Sequence, residues 1–239
     1  MILVRSVIFV ALFYLWSLLI GLAMLPLLLA PRRWMIAAMR LWCRVMLALL
    51  RLTCNLRVEF RGLEHLPPGP VLVGAKHQCM FDTMAPMTVF TDPCYVMKKE
   101  LMAIPFYGWF SRKAGMIVVD RDGEAKALRG LLADGKAAIK NRRQVVIFPE
   151  GHRMAPGTTG PYQPGVAGLY RTLGAGCVPM ATNSGMFWPA HGIVRRPGVI
   201  VYEFLEAIPP GLARPAFMAA LEERIETASR RLFDNRPGL

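Results

Sequence analysis

The chain has 239 residues, and its formal net charge of +13 at pH 7 fits an anionic substrate, an anionic surface or a nucleic acid. Hydrophobic residues make up 54% of it, and the mean hydropathy of +0.35 is high for a freely soluble protein. The five cysteines form no C-x-x-C pair and show no metal-ligand spacing with the four histidines, so we expect reduced thiols and no metal site.

The first part of the chain is strongly apolar, because residues 6–30 include no charged side chain. As a helix this run would reach about 36 Å, enough for a bilayer core of about 30 Å. A secretory signal peptide is the competing interpretation, but its apolar stretch is usually about 7–15 residues long and ends at a small-residue cleavage site. We therefore predict a membrane-anchoring segment at residues 1–53 and a catalytic domain at residues 54–239.

Basic residues follow the apolar run and share one face of a second expected helix. At about 100° per residue, Arg33, Arg40, Arg44 and Arg51 fall within about 40° of one another. This stripe is typical of a helix at the lipid interface, and the alternative is the solvated face of a core helix. Only Arg5 precedes the apolar run, so we expect the catalytic domain to face the cytoplasm, at a bacterial inner membrane. Whether the first helix spans the bilayer or pairs with the second as a hairpin in one leaflet stays open.

Strand and helix patterns alternate through residues 54–239, which predicts an α/β fold with a mostly parallel mixed sheet covered by helices. A helix is expected at residues 82–90, another at 123–140, and a third near the C-terminus. The last of these carries Phe217, Leu221, Ile225 and Leu232 on one side. The expected strands are residues 56–60, 71–75, 95–97, 116–119, 144–148, 177–181 and 199–205.

His77 and Asp82 are the first chemistry-bearing pair. Residues five apart on a helix point about 140° away from each other, but a turn after a strand can bring them together. A carboxylate bonded to one ring nitrogen fixes the tautomer, and the other nitrogen can then take a proton from an alcohol. The alternative is a structural histidine beside an unrelated helix-capping aspartate.

A second polar segment, residues 148–153, also leaves a buried strand directly. Ligands in open α/β sheets bind outside the carboxyl ends of the strands. Gly151 permits unusual backbone angles or close approach of a substrate, and Arg153 can grip a phosphate bidentately. The alternative is an ordinary polar loop.

Together these residues resemble the glycerophospholipid acyltransferase family, in particular its 1-acyl-sn-glycerol-3-phosphate acyltransferases. The resemblance covers roughly residues 57–206, and its sequence blocks occur in the family's order. The blocks are His77 to Asp82, Lys98 to Trp109, Gly115 to Arg121, Phe148 to Arg153 and Val178 to Gly185.

The resemblance implies an enzyme that makes phosphatidic acid from lysophosphatidic acid and a thioester donor, acyl-CoA or acyl carrier protein, without a further cofactor. His77 would deprotonate the glycerol hydroxyl and Asp82 would orient it. No acyl-enzyme is required, so Cys79 need not act as a nucleophile.

Binding roles are implied for further residues of the same blocks. Those expected to bind the acceptor phosphate are Lys98, Arg121 and Arg153. Those expected to shape the acceptor pocket are Glu150 and Gly151, and those expected on the acyl-donor side are Val178 and Pro179.

Three positions depart from the family pattern. Lys76 replaces a common Asn, and either acts on the imidazole through its charge or meets the acceptor phosphate. Cys79 stands where Ser is common, which removes a good hydroxyl donor. His152 replaces Thr in the third block. These changes leave open a different acceptor, such as glycerol 3-phosphate or a lyso-ornithine lipid.

Other classes of protein remain as alternatives. The charge of +13 alone fits a membrane-tethered nucleic-acid binder, but the chain has no recognised nucleic-acid motif, so we expect membrane lipids and no nucleic acid as partners. A catalytically inactive lipid-binding protein would be unaffected by the replacement of His77. A hydrolase would release fatty acid without any acceptor alcohol.

Overall fold

The computed structural model describes residues 1–120 and 124–235. Within them, seven strands form one sheet in the order β1-β7-β6-β2-β5-β3-β4. The strands are β1 Leu56–Arg61, β2 Val71–Ala75, β3 Pro93–Lys98, β4 Ile117–Val119, β5 Gln144–Ile147, β6 Cys177–Thr182 and β7 Gly198–Phe204.

The sheet is mostly parallel, as predicted. β6, β2, β5, β3 and β4 run in one direction, whereas β7 is antiparallel to β6 and β1 is parallel to β7. All five residues of β2 are buried, which fits the continuous apolar run of a parallel strand covered on both faces.

Helices cover both faces of this sheet. The α-helices are α1 Ile2–Met24, α2 Arg32–Cys54, α3 Tyr107–Lys113, α4 Glu124–Lys140, α5 Gly165–Leu173, α6 Ser184–Phe187 and α7 Arg214–Asp234. The 3-10 helices are Leu25–Leu28, Leu63–His65, Met80–Thr83, Pro86–Thr88 and Lys99–Ala103. On one face α1 and α2 pack against the core, and on the other α4, α5 and α7 do. The predicted apolar side of α7 is confirmed, because Phe217, Leu221, Ile225 and Leu232 are buried.

The first two helices form an antiparallel hairpin. The indole of Trp42 donates to the hydroxyl of Ser17 at 3.1 Å, and Cys54 lies 3.7 Å from the carbonyl oxygen of Arg5. Phe9 of α1 and Met46 of α2 belong to the same buried cluster as β2 and β6. The hairpin therefore shares its core with the sheet.

α1 lies along the surface of the molecule. Near its start, the backbone N–H of Arg195 donates to the hydroxyl of Ser6 at 2.8 Å, and near its end Gly21 faces the ring of Phe106. Residues Ile2–Leu28 are long and apolar enough to cross a membrane, with a hydropathy of 2.5 and 17% of the most apolar window buried. Exposure of so large an apolar surface indicates membrane association.

The expected helix at residues 82–90 is replaced by two 3-10 turns, Met80–Thr83 and Pro86–Thr88. Pro86 has no N–H, and its ring clashes with the carbonyl four residues earlier, so a continuous α-helix cannot form there.

The basic stripe is only partly exposed. Arg33, Arg44 and Arg51 lie on the surface. Arg40 instead folds back, and its guanidinium donates to the carbonyl oxygens of Phe90 at 2.7 Å and Thr91 at 2.9 Å. Arg40 thus bonds backbone carbonyl groups just after the 3-10 helix Pro86–Thr88. The stripe predicted that Arg40 would face lipid head groups, and this part of the prediction is wrong.

Candidate active site

The site lies at the carboxyl edge of the parallel strands. His77 follows β2, the segment 148–153 follows β5, and Lys98 ends β3. These strands are neighbours in the order β2-β5-β3, and all three run in the same direction. The predicted residues therefore emerge at one edge, where ligands of open α/β sheets bind.

His77 and Asp82 are in contact, as expected. The Nδ1 atom of His77 lies 3.1 Å from the Oδ2 atom of Asp82. The same oxygen accepts the backbone N–H groups of Gln78 at 2.6 Å and Cys79 at 2.8 Å. Asp82 is the third residue of the 3-10 turn Met80–Thr83, and its carboxylate both caps the start of that turn and contacts the imidazole, so a capping role does not exclude the expected pair.

The surroundings of Asp82 keep it ionised. Its side chain is fully buried, and burial alone disfavours the anion. The hydrogen bond and the charge of His77, together with the N–H of Cys79, outweigh that effect and lower the pKa of Asp82 below its usual value. An anionic partner holds the proton on Nδ1, which leaves the lone pair of His77 on Nε2.

The reactive side of the imidazole is accessible. The side chain of His77 is 14% exposed, and its ring stacks on Phe148 with 4.2 Å between centroids. No group in residues 1–120 or 124–235 hydrogen-bonds Nε2. The ring is therefore fixed on one side by Asp82 and Phe148 and open to a proton donor on the other.

Tyr202 is a partner of this pair that sequence reasoning missed. Its phenol donates to the Oδ1 atom of Asp82 at 3.0 Å. Burial, and then the charge of Asp82, raise the pKa of Tyr202 well above its usual value, so the phenol stays protonated and keeps donating. The sequence does contain a signal for this contact, because Tyr202 lies in β7 between the buried residues Ile200 and Phe204. A tyrosine hydroxyl buried among core residues needs a hydrogen-bond acceptor.

Cys79 also packs against the carboxylate. Its sulfur lies 3.7 Å from Oδ1 of Asp82, within reach of a weak thiol hydrogen bond. Burial, and then the charge of Asp82, raise the pKa of this thiol well above its usual value. A neutral, buried thiol is a poor nucleophile, which agrees with a mechanism that uses no acyl-enzyme.

The segment after β5 passes directly beside His77. The backbone N–H of Met154 donates to the carbonyl oxygen of His77 at 2.8 Å. Gly151 has a φ of +73°, a conformation that residues with a Cβ rarely adopt. Arg153 is exposed, and its guanidinium donates to the carbonyl oxygen of Ala190 at 3.2 Å.

Lys98 and Arg121 are the two other residues expected to bind the acceptor phosphate. Lys98 is exposed at the carboxyl end of β3. One strand separates β3 from β2, so the ends of these strands lie about 10 Å apart. Arg121 lies outside the described residues, and its role stays a prediction.

Lys76 and Glu150 have partners other than those expected. The side chain of Lys76 is 1% exposed, and its ammonium binds the carboxylates of Glu150 at 2.7 Å and Glu226 at 2.8 Å. A direct contact of Lys76 with the acceptor phosphate does not agree with these contacts, because burial of a charge demands close partners and these carboxylates supply them. An effect of its charge on the imidazole stays a prediction. Glu150 is likewise 1% exposed, and its carboxylate accepts the backbone N–H of Gly160 at 3.2 Å. Its expected place in the acceptor pocket stays a prediction, and any such effect would act through the backbone that it holds.

Val178 and Pro179 are buried within β6, between β2 and β7. Neither side chain reaches a surface where a donor could touch it, and their expected place on the acyl-donor side stays a prediction. The block that they begin contacts the site further on, because the N–H of Gly185 donates to the amide oxygen of Gln78 at 2.9 Å.

Relatives of the chain are found by sequence and by structure. It is 34% identical over 185 residues to the 1-acyl-sn-glycerol-3-phosphate acyltransferase of Pseudomonas aeruginosa, which covers 77% of this chain and 72% of that protein. The yeast protein of the same name is 29% identical over 164 residues, 66% of this chain and 54% of its own length. The chain thus spans about half of the yeast relative.

A solved structure and a family model agree with these relatives. The crystal structure of the 1-acyl-sn-glycerophosphate acyltransferase from Thermotoga maritima superposes with a TM-score of 0.82 over 100% of both chains, at 18% sequence identity, which supports the fold. A family model described as Acyltransferase matches residues 57–183, which include the His77–Asp82 pair and the segment after β5. By this match and by its similarity to the Pseudomonas enzyme, the chain belongs to the acyltransferase family.

Proposed function

We propose that the protein transfers an acyl chain from a thioester donor to the sn-2 hydroxyl of 1-acyl-sn-glycerol 3-phosphate and so makes phosphatidic acid. The observation that carries this proposal is the His77–Asp82 pair, with Nε2 of the imidazole open and the Arg153 segment alongside. The names of the Pseudomonas and yeast relatives support the choice of acceptor.

The pair supplies general base catalysis. Nε2 of His77 removes the hydroxyl proton as the oxygen attacks the thioester carbonyl, and Asp82 stabilises the imidazolium that forms. When the carbon–sulfur bond breaks, the imidazolium returns the proton to the leaving sulfur, so an ester and a free thiol are produced. Base catalysis of this kind contributes about 10²–10⁴-fold.

Cations beside the imidazole recognise the acceptor. Arg153 is exposed next to the residue that hydrogen-bonds His77, and its planar guanidinium suits two phosphate oxygens. Lys98 and Arg121 act with it as further phosphate-binding residues. Binding the phosphate brings the sn-2 hydroxyl to Nε2, which is the positional part of the catalysis.

We propose that the hairpin of α1 and α2 holds this site close to the lipid surface. A helix of 23 residues spans about 35 Å, yet α1 contacts the catalytic domain near both of its ends, at Ser6 and at Gly21. If α1 crossed the bilayer, the polar groups packed beside it would lie in hydrocarbon, which is costly. We therefore place the hairpin in one leaflet, on the cytoplasmic side of a bacterial inner membrane, with Arg33, Arg44 and Arg51 toward anionic head groups.

A thiol-release assay with the purified protein tests the proposal. The acceptors are lysophosphatidic acid, glycerol 3-phosphate and a lyso-lipid without a phosphate, and each is paired with acyl-CoA and with acyl carrier protein. We expect thiol release that depends on lysophosphatidic acid and yields phosphatidic acid. Faster transfer to another acceptor would show that lysophosphatidic acid is not the preferred substrate. Release of fatty acid without any acceptor would contradict acyl transfer.

A further inference from the structure

Lys76 forms a buried ionic cluster next to the imidazole. Its ammonium has three N–H groups, and they meet Glu150 Oε1 at 2.7 Å, the carbonyl oxygen of Thr158 at 2.9 Å and the carboxylate of Glu226 at 2.8 Å. Every donor is therefore occupied by a group of the protein. We call Lys76, Glu150 and Glu226 the Lys76 cluster.

The cluster joins three separate parts of the fold. Lys76 follows β2, Glu150 lies in the segment after β5, and Glu226 lies on α7. Since isolated buried charges are expensive, an ammonium at this position holds its carboxylate partners close to it. A single side chain thus ties two strand ends to the C-terminal helix.

The same cluster holds the loop between β5 and α5. Glu150 accepts the backbone N–H of Gly160 at 3.2 Å. Glu226 accepts the hydroxyls of Thr159 at 3.0 Å and Tyr162 at 2.9 Å. Residues 148–163 contain no helix or strand, so these side-chain bonds set the path of the loop together with a backbone bond, in which the N–H of Gln163 donates to the carbonyl oxygen of Pro149 at 2.8 Å.

This loop carries Arg153. On the near side, Met154 is hydrogen-bonded to the carbonyl oxygen of His77, and on the far side the Lys76 cluster binds residues 158–162. Because Lys76 and His77 are consecutive, the loop is fixed twice to the same stretch of backbone. The distance between the imidazole and the Arg153 guanidinium depends on both attachments.

We propose that Lys76 is a positioning residue, which sets Arg153 for the acceptor phosphate by holding the loop and does not itself touch the substrate. This inference rests on the proposed function, since it gives Lys76 a part in acceptor binding. It also separates Lys76 from Lys98 and Arg153, which are exposed and proposed to bind the acceptor phosphate, whereas Lys76 is buried and fully bonded.

The test compares Lys76→Met with wild type in the thiol-release assay. The variant keeps an unbranched apolar side chain, one heavy atom shorter, and loses the ammonium. We expect the KM for lysophosphatidic acid to rise about tenfold or more, because a displaced Arg153 would lose one charge-assisted hydrogen bond to the phosphate. The KM for the donor should stay the same. Arg214→Ala is the matched control, because it removes an exposed cation at the start of α7, twelve residues before Glu226 and outside the cluster.

A double variant distinguishes positioning from general damage. If Lys76 acts through Arg153, then Lys76→Met in the Arg153→Ala background should change the acceptor KM by less than about threefold, because the group being positioned is gone. Fully additive effects, or a wild-type acceptor KM in Lys76→Met, would overturn the inference. Glu226→Gln is the second variant if Lys76→Met fails to fold, and it should raise the acceptor KM by a smaller factor.

Hydrogen exchange provides a readout that needs no substrate. In Lys76→Met, or in Glu226→Gln, the amides of residues 154–163 should exchange faster than in wild type, while those of β2 keep their protection. Unchanged exchange in the loop would refute the positioning role. If wild-type protein acylates no phosphate-bearing acceptor, the proposed function fails, and this measurement still decides whether Lys76 holds the loop.

Discussion

The phenol of Tyr202 donates a hydrogen bond of 3.0 Å to the carboxylate of Asp82, although the two residues are 120 positions apart in the chain. β7 thus supports the carboxylate that in turn orients His77. One oxygen of Asp82 serves the imidazole and two backbone N–H groups, and the other serves Tyr202 and the thiol of Cys79. Both oxygens of this buried anion are therefore satisfied.

Tyr202→Phe should weaken both the fold and the catalytic pair. A hydrogen bond to a charged group contributes about 1.5–3 kcal/mol, so we expect a loss of that size in the free energy of unfolding. Without this donor the Asp82 anion is less stable, so the acid limb of the pH–rate profile should move to higher pH. Tyr95→Phe is the matched control, because the buried hydroxyl of Tyr95 has no partner among the described residues. Equal effects of the two variants would argue against a role for the Asp82 contact.

Arg153→Ala should weaken binding of a phosphate-bearing acceptor. The loss of one charge-assisted hydrogen bond or more predicts a rise of about ten- to hundredfold in the KM for lysophosphatidic acid. Arg153→Lys keeps the charge but loses the planar pair of donors, so its KM should fall between those of Ala and wild type. A lyso-lipid without a phosphate serves as the control acceptor. If the KM for this control acceptor rises by the same factor, Arg153 does not recognise the phosphate.

Local patterns predicted much of the sheet. The bounds of β2 agree with the expected strand, and β5 ends one residue earlier than expected, because short apolar runs between turn residues leave little freedom of register. The turn that joins His77 to Asp82 followed from the position of His77 at a strand end. Pro86 is the signal against a helix at residues 82–90, because a proline inside a helix removes one backbone hydrogen bond and clashes with the preceding turn.

Long-range polar partners were beyond sequence reasoning. The sequence leaves Lys76 available to the acceptor phosphate, whereas in the structure its ammonium pairs with Glu226, 150 residues away on α7. Arg40 was expected at the lipid surface, but it binds carbonyl groups about 50 residues away. Periodicity identifies which face of an element is buried, but it does not say which distant group a buried polar atom will meet.

Asp92 should make stability depend on pH. Its carboxylate binds Arg32 of α2 at 2.6 and 2.7 Å and Arg143 at 3.2 Å. Burial opposes the anion, but the hydrogen bond of Arg32 and the charge of Arg143 lower the pKa of Asp92 below its usual value. A carboxyl with a lowered folded-state pKa stabilises the protein above its unfolded pKa and loses that contribution as the pH falls through the folded value.

Asp92→Asn should therefore lower the free energy of unfolding by about 1–2 kcal/mol at neutral pH, with the difference from wild type closing below about pH 4. Thermal unfolding in detergent between acidic and neutral pH measures both quantities. Glu59→Gln, which breaks the exposed pair with Arg61, is the control and should change stability little at any pH. A constant gap between Asp92→Asn and wild type across this range would refute the linkage.

Labelling of introduced cysteines should locate the ends of α1. Arg5 and Arg33 flank the apolar run and are exposed, and all five native cysteines are buried. In a one-leaflet hairpin, Arg5→Cys and Arg33→Cys react with a membrane-impermeant thiol reagent from the same side, that of the catalytic domain. A spanning helix would place the two on opposite sides, so labelling of only one of them in intact cells would contradict the hairpin arrangement.

The central claim is that the imidazole of His77 removes the acceptor proton, and acyl transfer by His77→Ala tests it most directly. Thiol release that depends on lysophosphatidic acid should fall by about 10²–10⁴-fold in this variant, while sedimentation with membranes stays as in wild type. His65→Ala, which removes a partly exposed histidine of the 3-10 helix Leu63–His65, should keep the wild-type rate. A wild-type rate in His77→Ala would contradict the account.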